Sequence, residues 1–491
     1  MIRTRFAPSP TGMIHIGNLR TALYSYLIAK HENGKFILRI EDTDQKRSEN
    51  LYVDKIYDAL KSLNLNPDES PLNQVEDYAP YVQSERVKSG LYMKYALQLI
   101  EQGDAYYCFC PDCHSDLERY KSEVNYGHNE RNENSISYNG HCRNLSQDEV
   151  QKNLSENKPF VIRQKMPADQ IINYHDEIIG DLSFNSNEFE DQVLIKQDGY
   201  PTYNFANVID DHLMNITHVV RGNEYISSTP KYILLYNAFK WSLPTFIHLP
   251  LIFIKDSEGV EQKLSKRFNC ASYENLIDDG YLPEAVLNYI VMLGWGVDSE
   301  QEIYSIDELV KIFDYHNIKK ASKVLFDEDK LDWYNHKYIT GMNDDEFIEY
   351  CKRYCDYNVD WNKVAILVKD KVKKFSELNY ELSILNEPDV FPISWFYEYK
   401  KKDYNKDDIL KFIEYLYHII NDDMKSIDYE NVIREYSKSS GINFGSLMYV
   451  YRMMICGRKV IIMSATDVSE LIGKNEVIRR LNEIHDYLSK N

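Results

Sequence analysis

Within the first forty residues the spacing of apolar positions changes twice, and each change marks a structural element. Arg3-Thr4-Arg5-Phe6-Ala7 reads as a short strand stopped by Pro8 and Pro10. Over 18–30 the apolar residues Leu19, Ala22, Leu23, Tyr26 and Leu27 recur with a helical period. Phe36-Ile37-Leu38-Arg39-Ile40 is a compact apolar run, the pattern of a buried strand, and leads into Glu41-Asp42-Thr43-Asp44. Strand, turn, helix and strand in so short a stretch open a βαβ unit, which predicts an α/β domain built on a parallel sheet.

A polar, cysteine-bearing stretch over 106–158 interrupts this pattern and reads as an insertion. The α/β character resumes near Gln192, with strands expected over 216–220 and 249–254. After 263–267 the period becomes helical. Ser305 and Glu308 form a capping box ahead of Leu309, Val310, Ile312 and Phe313. Gly341-Met342-Asn343 precedes an acidic helix start and marks a domain boundary. Val477, Ile478, Leu481, Ile484 and Leu488 make one apolar stripe on the last helix.

At 491 residues the chain is too long for one ordinary core. No stretch approaches the apolar length of a membrane span, and no apolar segment follows the charged first residues, so neither a membrane nor a secretory route is expected. Eight cysteines in a chain of this size do not make a disulfide framework, which points to a reducing cytoplasm. A formal charge of −20 argues against a general nucleic-acid binder. It leaves room for a protein that grips one RNA through local basic patches.

Two short segments carry the chemistry. His15-Ile16-Gly17-Asn18 follows Pro8-Ser9-Pro10-Thr11-Gly12 and stands where the first helix begins. A helix start offers unsatisfied N–H groups and a positive dipole end to phosphate, and Gly17 lets backbone approach closely. His15 can donate a hydrogen bond to an α- or β-phosphate oxygen. Far along the chain, Lys263-Leu264-Ser265-Lys266-Arg267 follows a strand end and the acidic loop Asp256-Ser257-Glu258-Gly259. It reads as a flexible cationic arm able to neutralise a transferring phosphoryl group. Together they point to attack on the α-phosphate of a nucleotide.

The pair resembles the signature segments of class I aminoacyl-tRNA synthetases. Residues 5–12, Arg39-Ile40-Glu41-Asp42-Thr43-Asp44 and Gly199-Tyr200-Pro201-Thr202-Tyr203 resemble the glutamyl branch of that family. The likeness continues through Gly280-Tyr281-Leu282-Pro283-Glu284-Ala285 and Leu293-Gly294-Trp295 to the final helix. Asn18 departs from the general signature, which ends in histidine.

The resemblance implies a Rossmann-type catalytic domain split over 1–80 and 192–255. It further implies an inserted α+β acceptor-end-binding domain over 81–191, a stem-contact domain over 256–340 and a helical anticodon-binding domain over 341–491. It implies ATP with Mg2+ as cosubstrate, bound by His15, Gly17, Asn18 and Lys266, with His15, Lys263 and Lys266 as catalytic residues. L-glutamate would be held by Arg5, Ala7, Ser9, Glu41, Tyr203, Asn207 and Arg221. Glutamate carries two carboxylates and one ammonium, so two cationic clamps and one carboxylate suit it, and an arginine on the distal carboxylate rejects the neutral amide of glutamine.

The implied product is glutamyl-tRNA, made by a monomeric enzyme on tRNA(Glu), with adenylate formed efficiently only once tRNA is bound. A non-discriminating form would also serve tRNA(Gln), and a nucleotidyltransferase without RNA is the reading from another class. Relatives bind zinc through a Cys-x-Cys pair and a later pair. Here Cys108, Cys110 and Cys142 fit three slots, the fourth falls on Asn144, and Cys113, His114 or His141 can replace it. Arg452 and Arg458 are candidate RNA contacts, with ordinary helix-surface charge as the alternative. Cys351 and Cys355 read as structural.

Overall fold

The computed structural model describes residues 1–44, 47–110, 138, 140–265, 267–398 and 404–490. Its strands are β1 (Arg3–Phe6), β2 (Lys35–Leu38), β3 (Ala105–Cys108), β4 (Val161–Gln164), β5 (Ile171–Asp176), β6 (Gly180–Asn185), β7 (Val193–Ile195), β8 (His218–Gly222), β9 (Thr245–Leu249), β10 (Leu251–Lys255), β11 (Glu261–Lys263) and β12 (Lys323–Leu325).

β1 and β2 pair in parallel, with Arg5 opposite Ile37. All four β1 residues are buried although two are arginines. Each guanidinium meets a carboxylate. Arg3 lies on Glu69 at 2.7 and 2.8 Å, and Arg5 on Asp211 at 3.0 Å. Without those partners the desolvated charges would oppose burial of the strand. The predicted first helix runs Ile16–His31 with His15 as its N-cap. The turn back to β2 requires glycine, because a Cβ on Gly34 would stand 2.3 Å from the Ile2 carbonyl oxygen.

β8 and β9 are parallel, with Arg221 opposite His248. β5 joins β9 in parallel and β6 closes an antiparallel hairpin with β5, giving the order β6-β5-β9-β8. Thr217 ties this sheet to β1: Arg3 N donates to Thr217 Oγ1 and Thr217 N to Arg3 O, each at 2.9 Å. Ile37, Met214, Val219, Ile233 and Phe246 pack in the core beside these strands. β3-β4-β7 form a second, antiparallel sheet. β10 pairs antiparallel with β11 and parallel with β12 in a third.

The single strand expected over 249–254 is two strands in different sheets. Pro250 lies between β9 and β10 and has no N–H to give a ladder. The strand expected over 216–220 begins two residues later, since Thr217 is engaged with Arg3 before β8 starts.

The chain divides into two compact units, one of 1–276 with 286–327 and one of 277–285 with 328–491. In the second unit every described element is helical. Asn343 caps the helix Asp344–Tyr354 by accepting from Glu346 N. The last helical stretch, Ala465–Lys490, is broken at Gly473 (φ 77°), and beyond the break Val477, Leu481 and Leu488 are buried while Ile478 and Ile484 are half-buried. In the first unit the predicted capping box is present, with Ser305 and Glu308 bonded reciprocally. No helix among the described residues is long and apolar enough to cross a membrane.

Candidate active site

The first helix is capped by a side chain unusual in that role. His15 Nδ1 accepts from Gly17 N at 3.0 Å, and a Cβ on Gly17 would stand 3.1 Å from that nitrogen. An Nδ1 that accepts carries no proton, so in the neutral ring the proton is on Nε2. Nε2 faces the Leu264 carbonyl oxygen at 3.2 Å. The backbone around both groups is stitched together. Tyr273 N donates to Ile14 O at 2.9 Å, His15 bridges to Ser272, and Ile14 N donates to the Glu274 carboxylate. The histidine bend and the start of the lysine run are therefore direct neighbours.

The run is anchored at its beginning. Lys263 ends β11 and its Nζ lies 3.9 Å from Glu224, while Leu264 is buried and its N–H bonds Ile252 O. Phe268 N donates to Ser265 O, making a tight turn. The expected flexible arm is thus fixed at Lys263 and Leu264. Lys266 lies outside the described residues.

In the same unit, Glu41 and Arg221 are buried with unsatisfied polar atoms. Glu41 Oε1 accepts from Arg39 at 2.8 Å, but Oε2 has no hydrogen-bond partner. Arg221 Nε and Nη1 have none either, and its guanidinium packs 4.9 Å from the Tyr232 ring and 5.4 Å from the Tyr225 ring. Unsatisfied buried acceptors and donors are costly, and an ammonium at Glu41 and a carboxylate at Arg221 would satisfy these. Burial pushes the Glu41 carboxyl up, against the pull of Arg39 and Arg5. Burial also pushes Asp211 up, but Arg5, Arg39 and Arg221 outweigh it and hold Asp211 below the ordinary aspartate value.

Arg5, Glu41, Tyr203 and Arg221 fall in one neighbourhood, each acting electrostatically on Tyr203. Asn207 lies one turn on and donates to Tyr203 O at 2.8 Å. Ala7 is half-buried on the loop after β1, and Pro8 O on that loop accepts from Glu41 N. Ser9 and Asn18 are exposed. Sequence reading missed Arg39, Asp210 and Asp211. Arg39 is fully buried and bonds both Glu41 and Asp211, while Asp210 takes Arg86, Tyr92 and Gln83. The available signal was the pair Asp210-Asp211 within the otherwise apolar-faced helix Tyr203–Leu213.

Away from this pocket, the Sγ atoms of Cys108, Cys110 and Cys142 lie within 4.8 Å of one another. Their spacing and chemistry fit a thiolate-preferring divalent ion. Burial, with Cys110 beside it, pushes the Cys142 thiol up to about 12, so the thiol is neutral at neutral pH, and a bound cation would reverse the shift by favouring the thiolate. The Tyr138 hydroxyl, 3.5 Å from Cys108 Sγ, is the neighbouring oxygen. His141 is exposed and outside the thiol cluster, and Cys113 and His114 lie outside the described residues. Arg458 is no exposed RNA contact: it is buried on Asp389 at 2.7 and 2.9 Å. Arg452 donates to Lys459 O.

The chain is similar to known proteins over nearly its whole length. Residues 1–333 match tRNA synthetases class I (E and Q), catalytic domain, and residues 346–485 match an anticodon binding domain. The chain is 45% identical over 492 residues to a glutamate–tRNA ligase of Clostridium novyi (strain NT), covering 98% of this chain and 96% of the relative. It is 43% identical over 496 residues to a glutamate–tRNA ligase of Lachnoclostridium phytofermentans, covering 99% of each. Among solved structures it is similar to a glutamate tRNA ligase of Elizabethkingia meningosepticum in complex with its amino acid (TM-score 0.77, 34% identity, 99% of each chain). It is also similar to the glutamate–tRNA synthetase of Elizabethkingia anophelis (TM-score 0.78, 35% identity, 99% of each chain).

Proposed function

The chain belongs to the class I tRNA synthetases of the E and Q branch, and from that premise we propose that it is a glutamate–tRNA ligase. It joins L-glutamate to the 3′ end of tRNA(Glu) at the expense of ATP, working as a monomer in the cytoplasm. The carrying observation is a pair of unsatisfied buried sites, both close to Tyr203: a carboxylate oxygen on Glu41, and two guanidinium nitrogens, Nε and Nη1, on Arg221.

An ammonium fits the first and a carboxylate the second, and Arg5 supplies a second cation nearby. The set of Arg5, Arg221 and Glu41 suits the two carboxylates and one ammonium of glutamate, whereas glutamine would present a neutral amide to one of the guanidiniums.

In the first step a glutamate α-carboxylate oxygen attacks the α-phosphorus of ATP, and the bond to pyrophosphate breaks. The His15 Nε2–H, turned from Leu264 O to a phosphate oxygen, stabilises charge developing there, with Lys263 and Lys266 neutralising the triphosphate. Gly17, without a Cβ, lets phosphate approach the helix start closely, and Asn18 presents an exposed side-chain amide there. Mg2+, arriving with ATP, supplies further charge neutralisation. In the second step the terminal adenosine hydroxyl of tRNA attacks the adenylate carbonyl and AMP leaves.

In this reading residues 81–191 receive the acceptor end, 256–340 the stem and 341–491 the anticodon. Cys108, Cys110 and Cys142 hold a structural zinc that pins the segment after β3. The test is charging of purified tRNA(Glu) and tRNA(Gln) with labelled glutamate. Glutamyl-tRNA(Glu) is expected, and its absence would overturn the proposal. Product on tRNA(Gln) as well would identify the non-discriminating form.

A further inference from the structure

Arg5 and Glu41, the two groups proposed to meet glutamate, are both held through a single buried carboxylate, Asp211, directly for Arg5 and through Arg39 for Glu41. Asp211 accepts from Arg5 Nε at 3.0 and 3.3 Å, which leaves the far edge of that guanidinium to the pocket and to Val220 O. Asp211 Oδ1 also accepts from Arg39 Nη1 at 2.8 Å. Arg39 in turn grips Glu41 Oε1 with Nε and Nη2, at 3.3 and 2.8 Å, so that Oε2 is the oxygen left unsatisfied. Both arginines are bonded on defined edges of planar forks, so moving the carboxylate rotates them.

We propose that Asp211 is the positioning residue for glutamate recognition, fixing through Arg5 the cation that takes a carboxylate and through Arg39 the carboxylate that takes the ammonium. The proposal rests on the glutamate-ligase reading and deepens it. Asp210, the adjacent residue, is an internal comparison. It is equally buried and equally bonded, but its closest partners are Arg86, Tyr92 and Gln83, and Arg39 is no nearer than 3.8 Å. A merely structural buried carboxylate would behave alike at the two positions. A positioning carboxylate would not.

The experiment is steady-state ATP–pyrophosphate exchange with tRNA present, on the full chain, for Asp211→Asn, Asp211→Glu and Asp210→Asn. Wild-type exchange with glutamate is required first, and its absence would sink the ligase reading rather than this inference. Asp211→Asn is expected to raise the glutamate KM by roughly tenfold or more while the ATP KM stays within about twofold. It should also narrow the preference for glutamate over glutamine. Asp211→Glu keeps the charge needed for folding and shifts the carboxylate by one methylene, so it tests the same point if the asparagine variant fails to fold. It too should raise the glutamate KM alone. Asp210→Asn is expected to lower thermal stability without that selective rise. Equal rises in glutamate and ATP KM at Asp211, or the same selective rise at Asp210, would overturn the assignment.

Discussion

Glu41 is kept in a state that the fold alone does not favour. Its carboxyl is pushed up by burial and one oxygen lacks a partner. A carboxyl raised in the folded state lowers stability at pH above its unfolded value, and that penalty disappears as pH falls below it. Glu41→Gln removes the penalty, so its thermal midpoint at neutral pH is expected to equal or exceed that of the wild type, while glutamate-dependent exchange falls by roughly 100-fold for loss of the ammonium partner. Thermal unfolding and exchange on the same preparation check both halves, and a large drop in midpoint would contradict the strain argument. The motif residues Arg5, Glu41, Tyr203 and Arg221 were legible in the sequence because they lie in compact, distinctive segments. Asp211 and Arg39 were not, because their importance comes from contacts across 172 residues of chain that no local pattern records.

At the scale of elements, local chemistry was readable and long-range pairing was not. The Ser305–Glu308 box and the acidic helix start after Asn343 are set within a few residues and appear as expected, Asn343 itself serving as the cap. The split at Pro250 was visible as a residue but not as a change of sheet, since the partners of β9 and β10 lie far away in the chain. The cysteine segment is a further element-scale case. The thiols of Cys108, Cys110 and Cys142 lie within 4.8 Å of one another, so the protein as purified is expected to hold close to one zinc per chain. Cys110→Ser should lose the metal and expose the segment to proteolysis. Elemental analysis with limited proteolysis decides it: a zinc-free wild type, or a serine variant that keeps full zinc, would contradict the reading.

Across the molecule, the His15 bend and Leu264 meet within the first unit of a strongly acidic chain. The second unit matches an anticodon binding domain, and its buried arginines, Arg458 and Arg480, serve packing. The α/β and helical halves were legible from the change of apolar period. The pairing of buried carboxylates with guanidiniums was not, because it joins residues far apart in the chain. ATP–pyrophosphate exchange measured with glutamate and with glutamine, each with and without tRNA(Glu), tests the glutamate assignment directly. Exchange that requires glutamate and rises with tRNA is the predicted result. Exchange that glutamine supports equally, or that tRNA never stimulates, would contradict it.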